Sequence, residues 1–411
     1  MAARTCVVVG GGLAGATAAF TLRSHGFDGR IVVVCEEHHQ PYSRPPLSKG
    51  VVRGEIPERK AFLRPEHWYE TQGIELLVGC PATRLDPHEQ QIELRGGDRI
   101  HYDYALLATG SKPRTLPSSA DIPNVVTLRT LDDARALRER LGTGRTLLVV
   151  GGGFVGAELA ASARSVGTEV TVLEAEPRPL SRLLPAALGE TYARLHRERG
   201  VRLLTRTTVK GLARHGHGIR ALDSHGGHHT ADTAVIAIGS TPDTALAQRA
   251  GLAVENGIVV DEYCRTGAPG VYAAGDVANH PNFLLGRRIR IEHWQNAQHQ
   301  AAAAARGMLG HHEVFAEIPW VWSDQFDVNL QIAGIPRPTD TVVLRGEVDS
   351  MNFTAFLLRD EVLVAAIGLN RAGDVRAARR LIARGYRPDA ARLSDKDSDL
   401  EALADDAAAS A

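Results

Sequence analysis

The sequence predicts an α/β protein built on two βαβ units, followed by a smaller α+β domain. Three observations carry this. Residues 5–36 read as an apolar strand, a glycine turn, an alanine-rich helix and a second strand (TCVVVGGGLAGATAAFTLRSHG, then IVVVCE). Residues 146–174 repeat the plan (TLLVVGGGFVGAELAASARSVG, then EVTVLE), and in both the strands are near-continuously apolar, as in parallel sheet covered on both faces. From about Ile318 the pattern changes to short alternating strands and one basic helix.

Bulk properties narrow the class. At 411 residues the chain is too long for one ordinary core, and its 44% hydrophobic and 23% charged content is that of a globular protein. A net charge of −1 supplies no basic field to gather nucleic acid or an anionic membrane. The first strand, from Thr5, leaves no room for a signal peptide, and no apolar run approaches the ~20 residues that span a bilayer, so a cytoplasmic location is expected. Cys6, Cys35, Cys80 and Cys264 form no C-x-x-C or other close pair, which predicts neither a zinc site nor a local redox disulfide. Cys6 and Cys35 read as small buried hydrophobes within strands.

Between the two units, strands are expected at Ile74–Val78, Gln91–Leu94 and Tyr104–Ala108, closing on ATGSKPR. After the second unit, Val201–Thr205 and Ala234–Ile238 lead to AIGSTPD, then VYAAGDVA at 271–278 and a helix over Asn296–Leu309. Strands Val342–Arg345, Thr354–Arg359 and Val362–Gly368 follow, then a helix over Asp374–Arg384 that stops at Gly385. The final stretch, residues 396–411, is acidic and alanine-rich with nothing large to bury, and is expected to be a flexible tail.

Gly10, Gly12 and Gly15 follow a strand and open a helix, which gives the G-x-G-x-x-G spacing its meaning. The first glycine permits the turn, the second lets backbone approach a pyrophosphate, and the third brings helix close to strand. Glu36, 21 residues after Gly15, can accept hydrogen bonds from a ribose. Gly151, Gly153 and Gly156 repeat the device, with Glu174 placed 18 residues after Gly156. A carboxylate there suits the 2′-hydroxyl of NADH and repels the extra phosphate of NADPH. Arg178 and Arg182 could contact that phosphate or serve as surface charge. Two cradles imply one resident and one exchanging dinucleotide, with the first unit as the FAD candidate because later segments return to it. Asp276, after the strand in VYAAGDVA, suits bonding to ribityl or ribose hydroxyls, or is an ordinary strand-to-turn aspartate.

Together VVVGGGLAGATAA, PYSRPPLSK (41–49), LLATGSKPR, VVGGGFVGAELA, VYAAGDVA and PWVWSDQ (319–325) resemble the FAD-dependent pyridine-nucleotide reductases, and most of all the NADH-dependent ferredoxin reductases of bacterial oxygenase systems, the putidaredoxin-reductase-like group. The resemblance implies two Rossmann-like, glutathione-reductase-like domains plus a C-terminal α+β domain. FAD-binding is expected over 1–110 and 240–317, NADH-binding over 111–239, and a C-terminal domain over 318–395. It also implies that Arg44, Lys49, Arg129 and Asp276 contact FAD, with Lys49 near the ring, and that Glu158 lies near the nicotinamide. Trp294, in IEHWQNAQHQ, would lie beside the flavin pyrimidine edge. Trp320 and Trp322 would share one strand face, as core aromatics or, for Trp322, as part of an electron path.

No metal is implied, and the expected catalytic set is Lys49, Glu158 and Trp322. Cysteine-dependent relatives carry their cysteine where this chain reads RPPLSK, so an external one-electron acceptor, an iron–sulfur ferredoxin, is expected. Arg376, Arg380 and Arg384 form an i, i+4 row on which an acidic ferredoxin could dock, or a solvated helix face. Reduction of a small acceptor (a quinone or ascorbate radical) and signalling by an apoptosis-inducing-factor-like flavoprotein are the alternatives.

Overall fold

A computed structural model describes residues 4–65 and 67–409, with side chains through Ala404. The chain forms two compact units. The first holds residues through Ser43, Glu58–Lys112 and Ser240–Glu317; the second holds Arg44–Pro57, Pro113–Gly239 and the residues from Ile318 onward. The chain therefore passes between units five times, after residues 43, 57, 112, 239 and 317.

The elements that position the site are, in chain order, β1 (Thr5–Val9), α1 (Leu13–Ser24), β2 (Arg30–Val34), β3 (Thr146–Val150), α2 (Phe154–Ser165), β4 (Glu169–Leu173), α3 (Ala186–Glu198), α4 (Trp294–Met308), β5 (Trp320–Gln325), β6 (Val328–Gly334), α5 (Ala372–Ala383) and α6 (Leu400–Ala409).

In the first unit, β1 and β2 lie inside a five-stranded parallel sheet ordered Val271–Ala273, Tyr104–Leu107, β1, β2, Ile74–Leu77. Strand alternation sends Cys6, Val8, Ile31 and Val33 to one face and Val7, Val9, Val32 and Val34 to the other, and both faces are buried cores. The alanines of α4 (Ala301, Ala303, Ala304, Ala305) pack with Ala14, Ala18 and Ala19 of α1, small residues allowing close approach.

The second unit repeats the architecture. Its parallel sheet runs Arg202–Leu204, β4, β3, Thr233–Ile236, Val125–Val126. It also contains a five-stranded antiparallel sheet ordered β5, β6, Val362–Leu369, Asn352–Arg359, Thr341–Glu347. Leu188, Tyr192 and Leu195 of α3 share one core with Leu330, Ile332, Phe353 and Leu357 of that sheet. This shared core joins α3 to the antiparallel sheet within the second unit. Residues 44–57 leave the first unit, because Ser48 and Lys49 are bonded to α2.

The expected flexible tail is instead largely helical; residues 410 and 411 lie outside the described residues. Leu400, Leu403 and Ala404 recur at helical spacing and are buried against Val375, Ala378, Leu381 and Ile382 of α5. Asp399 caps the helix by accepting from the backbone N–H of Glu401 and Ala402. This helix also takes up the arginine row. Arg380 pairs with Glu401, Arg376 stands 3.6 Å from the same carboxylate, and Arg384 donates to the carbonyl of Ala404. Arg380 is thus drawn into an intramolecular latch for α6, while Arg376 and Arg384 stay exposed.

Candidate active site: two glycine cradles and a buried ion pair

The two glycine turns are near copies. Gly10 and Gly151 have φ of +124° and +106°, and a Cβ on either would meet the carbonyl oxygen of Ala108 or Ala237 at 2.1 or 2.4 Å. A Cβ on Gly15 or Gly156 would meet the carbonyl oxygen of Gly10 or Gly151 at 1.9 or 2.0 Å. Gly12 and Gly153, the residues preceding α1 and α2, face open space. Neither helix has a side-chain cap or an acidic residue in its first turn, so N–H groups and positive dipole ends remain available to an anion. Both cradles fit a dinucleotide pyrophosphate.

The acids that follow differ. Gly10 and Gly151 donate to the carbonyls of Val34 and Leu173, so the position equivalent to Glu174 in the first unit is Cys35. Cys35 is buried, its thiol beside Gly11, and Glu36 stands exposed one residue later. Glu174 is only 8% exposed and accepts from the backbone N–H groups of Gly152 and Glu176, the latter at 2.7 Å. Arg182 is on the surface, 3.9 Å from Glu176.

Also in the first unit, Asp276 accepts from the Ser111 hydroxyl at 3.2 Å, just beyond strand Val271–Ala273. Trp294 opens α4 and its indole N–H donates to Ser43 Oγ at 3.2 Å.

The second unit gathers the remaining predicted residues. Arg44 donates to the carbonyl of Arg129 at 2.6 Å, while Arg129 N–H binds Asp133, which also caps the following helix. Lys49 Nζ lies 2.7 Å from Glu158 Oε2, and both side chains are largely buried. Ser48 donates to the same oxygen at 2.5 Å, and Ser323 donates to Oε1 at 2.7 Å. Three donors thus converge on one buried carboxylate, the environment that offsets the cost of desolvating it. Ser162 of α2 donates to the Ser48 carbonyl at 2.7 Å and fixes the segment that carries Lys49.

Trp320 and Trp322 share a face of β5, with ring centroids 5.2 Å apart and planes at 27°. Trp320 also packs at the rim of the core beneath α5. The opposite face of β5 holds Ser323 and Gln325, both 0% exposed. Sequence reading passed over Ser48, Ser323, Gln325 and His196. The period-two alternation in WVWSDQ carried the signal for two of them, since Val321, Ser323 and Gln325 must face away from the tryptophans.

Among the described residues no group of three or more His, Cys, Asp or Glu side chains could hold a metal ion, and no helix is long and apolar enough to cross a membrane. All four cysteines are free. Burial pushes the thiols of Cys6 and Cys35 up to about 12 and that of Cys264 up as well, which keeps these three from forming thiolates.

The model of the pyridine nucleotide-disulphide oxidoreductases matches residues 4–301, and a reductase C-terminal domain matches residues 320–404. The chain belongs to the pyridine nucleotide-disulphide oxidoreductase family. Within it, the chain is 42% identical over 397 residues to the anthranilate 1,2-dioxygenase system ferredoxin–NAD(+) reductase component of Burkholderia cepacia, covering 96% of this chain and 98% of that one. Rhodocoxin reductase of Rhodococcus erythropolis is 38% identical, with 96% and 93% covered. Among solved structures, the covalent putidaredoxin reductase–putidaredoxin complex matches with a TM-score of 0.95 and 34% identity over 100% of both chains. These matches, like the paired parallel sheets, agree with the fold class expected from the glycine turns.

Proposed function

We propose that the chain is an NADH:ferredoxin oxidoreductase that carries FAD and serves an oxygenase, such as a haem monooxygenase. The observation that carries the reading is the buried pair that Lys49 makes with Glu158 of α2, the helix that opens at the second glycine turn. FAD, when bound, supplies the chemistry, accepting a hydride and releasing electrons singly.

The chain's own residues bind and orient. The backbone of Gly10, Gly12 and Gly15 and the N-terminus of α1 would hold the FAD pyrophosphate, with Glu36 and Asp276 taking hydroxyl groups. Arg44, Lys49, Arg129 and Trp294 complete the assigned FAD set. Gly151, Gly153, Gly156 and Glu174 would hold NADH, and the carboxylate of Glu174 disfavours the 2′-phosphate of NADPH. Lys49 and Glu158 would fix the nicotinamide for transfer, so that positioning supplies the acceleration. Trp322, stacked on Trp320, is assigned to the electron exit. The raised thiols of Cys6, Cys35 and Cys264 favour an external acceptor over cysteine chemistry, and the names of the similar reductases favour a ferredoxin. A cytoplasmic setting, where NADH and reduced thiols are found, goes with this reading.

Anaerobic stopped-flow mixing tests it. The purified yellow protein should bleach with NADH faster than with NADPH, and a second mix with an oxidised ferredoxin should restore the yellow colour. A protein that bleaches with NADH but passes nothing to any ferredoxin while turning over a quinone rapidly would refute it.

A further inference from the structure

The Lys49–Glu158 pair is the end of a longer buried chain of hydrogen bonds. His196 Nε2, on α3, is 2.8 Å from Gln325 Oε1. Gln325 Nε2 donates to Ser323 Oγ at 3.0 Å, and Ser323 donates to Glu158 Oε1 at 2.7 Å. His196, Gln325, Ser323 and Glu158 are all buried.

The direction of this chain is fixed. An amide oxygen only accepts, so His196 must carry its proton on Nε2. Burial lowers the His196 pKa, which keeps the ring neutral near pH 7 with that one proton to give. Turning the Gln325 amide over would set its oxygen against the Ser323 hydroxyl, whose only proton is already given to Glu158. Only one orientation leaves every member satisfied, and in it every bond points toward Glu158. The outer end is held by packing: Phe326, at the turn between β5 and β6, meets the His196 ring edge to face at 5.3 Å.

We infer that Ser323, Gln325 and His196 are positioning residues for hydride transfer, holding Glu158 in the one orientation in which it also pairs with Lys49. The inference rests on the proposed role of that pair at the nicotinamide. It assigns β5 a task beyond presenting Trp322: its opposite face ties the antiparallel sheet to the reacting end of α2.

The test uses FAD-loaded protein and three readouts. The antisymmetric carboxylate stretch of Glu158 is identified in the infrared as the band lost in Glu158→Gln. The His196 tautomer is read from nitrogen-15 resonances lost in His196→Asn. Flavin reduction by NADH is followed by stopped flow. Ser323→Ala should move the Glu158 band and slow the limiting reduction rate on the order of tenfold, with half-saturating NADH changed less than about twofold. Ser323→Thr, which keeps the hydroxyl, should bring both back. Gln325→Met should leave His196 as a mixture of tautomers and slow reduction by less than Ser323→Ala, and it carries the test if Ser323→Ala does not fold. An unmoved band in Ser323→Ala, or a slowed rate that threonine does not rescue, would overturn the inference. If Glu158→Gln is reduced at the wild-type rate, the inference falls for a different reason: the pair is then not at the nicotinamide, and the fault lies in the functional reading.

Discussion

The two glycine cradles share a backbone and differ in the residue at the end of the second strand. In the second unit that residue is Glu174, buried and bonded to two backbone N–H groups; in the first it is Cys35, and the acid, Glu36, follows one residue later in solvent. Identical turns are thus fitted to different tasks by what stands beneath them. Glu174 braces its own turn, and in the proposed function it also offers an acceptor to a ribose. In the first unit a thiol packs beneath Gly11 in place of a carboxylate, so Glu36 does not brace its turn, and the proposed function gives it a ligand contact alone.

The largest expected effect tests whether the cradles are separable. Gly15→Val and Gly156→Val both drive a side chain into a carbonyl oxygen about 2 Å away. Gly15→Val should yield colourless protein. Gly156→Val should stay yellow and bleach with dithionite, while NADH-driven reduction falls by ~100-fold or more. Loss of colour in both would break the assignment of one resident and one visiting dinucleotide.

Acid should strike the first unit through His280, which is fully buried, with burial first and then Arg288 holding its pKa down to about 4. The ring stays neutral in the fold while the unfolded chain protonates near 6.5. Stability from this group is therefore complete above pH 6.5 and lost progressively as pH falls to about 4, by a total on the order of 3 kcal/mol. Thermal unfolding followed from pH 7 to 4 should show this slope, and His280→Leu should flatten it.

A smaller effect sharpens the contrast between the acids. Glu174→Ala leaves two N–H groups without their acceptor and should cost about 2 kcal/mol, read as a lower unfolding midpoint, while narrowing the preference for NADH over NADPH about tenfold. Glu36→Ala should leave the midpoint of flavin-free protein unchanged and weaken only flavin retention. Equal destabilisation by both would erase the distinction.

What the sequence made legible follows period and spacing. Continuous apolar strands and glycine turns are local patterns, and β1, β2, β3, β4, α1 and α2 form where those patterns place them. Lys49 and Glu158, 109 positions apart, each entered only through family resemblance, and that they pair is visible only in the fold. Ser323, Gln325 and His196 were invisible because a hydroxyl, an amide and an imidazole gain meaning from partners the fold alone supplies. The tail was misread for a related reason: Leu400 and Leu403 look too sparse to bury until α5 offers them an apolar stripe and Glu401 finds Arg380.

The interleaving of the two units bears on how the protein is made. Strand Val271–Ala273 completes the sheet begun by β1, and the second unit waits for β5 and β6 to close over α3. Neither can finish until roughly three quarters of the chain has left the ribosome. Nascent chains should therefore expose unpaired strand edges for most of translation, and acquisition of colour should trail synthesis instead of accompanying it.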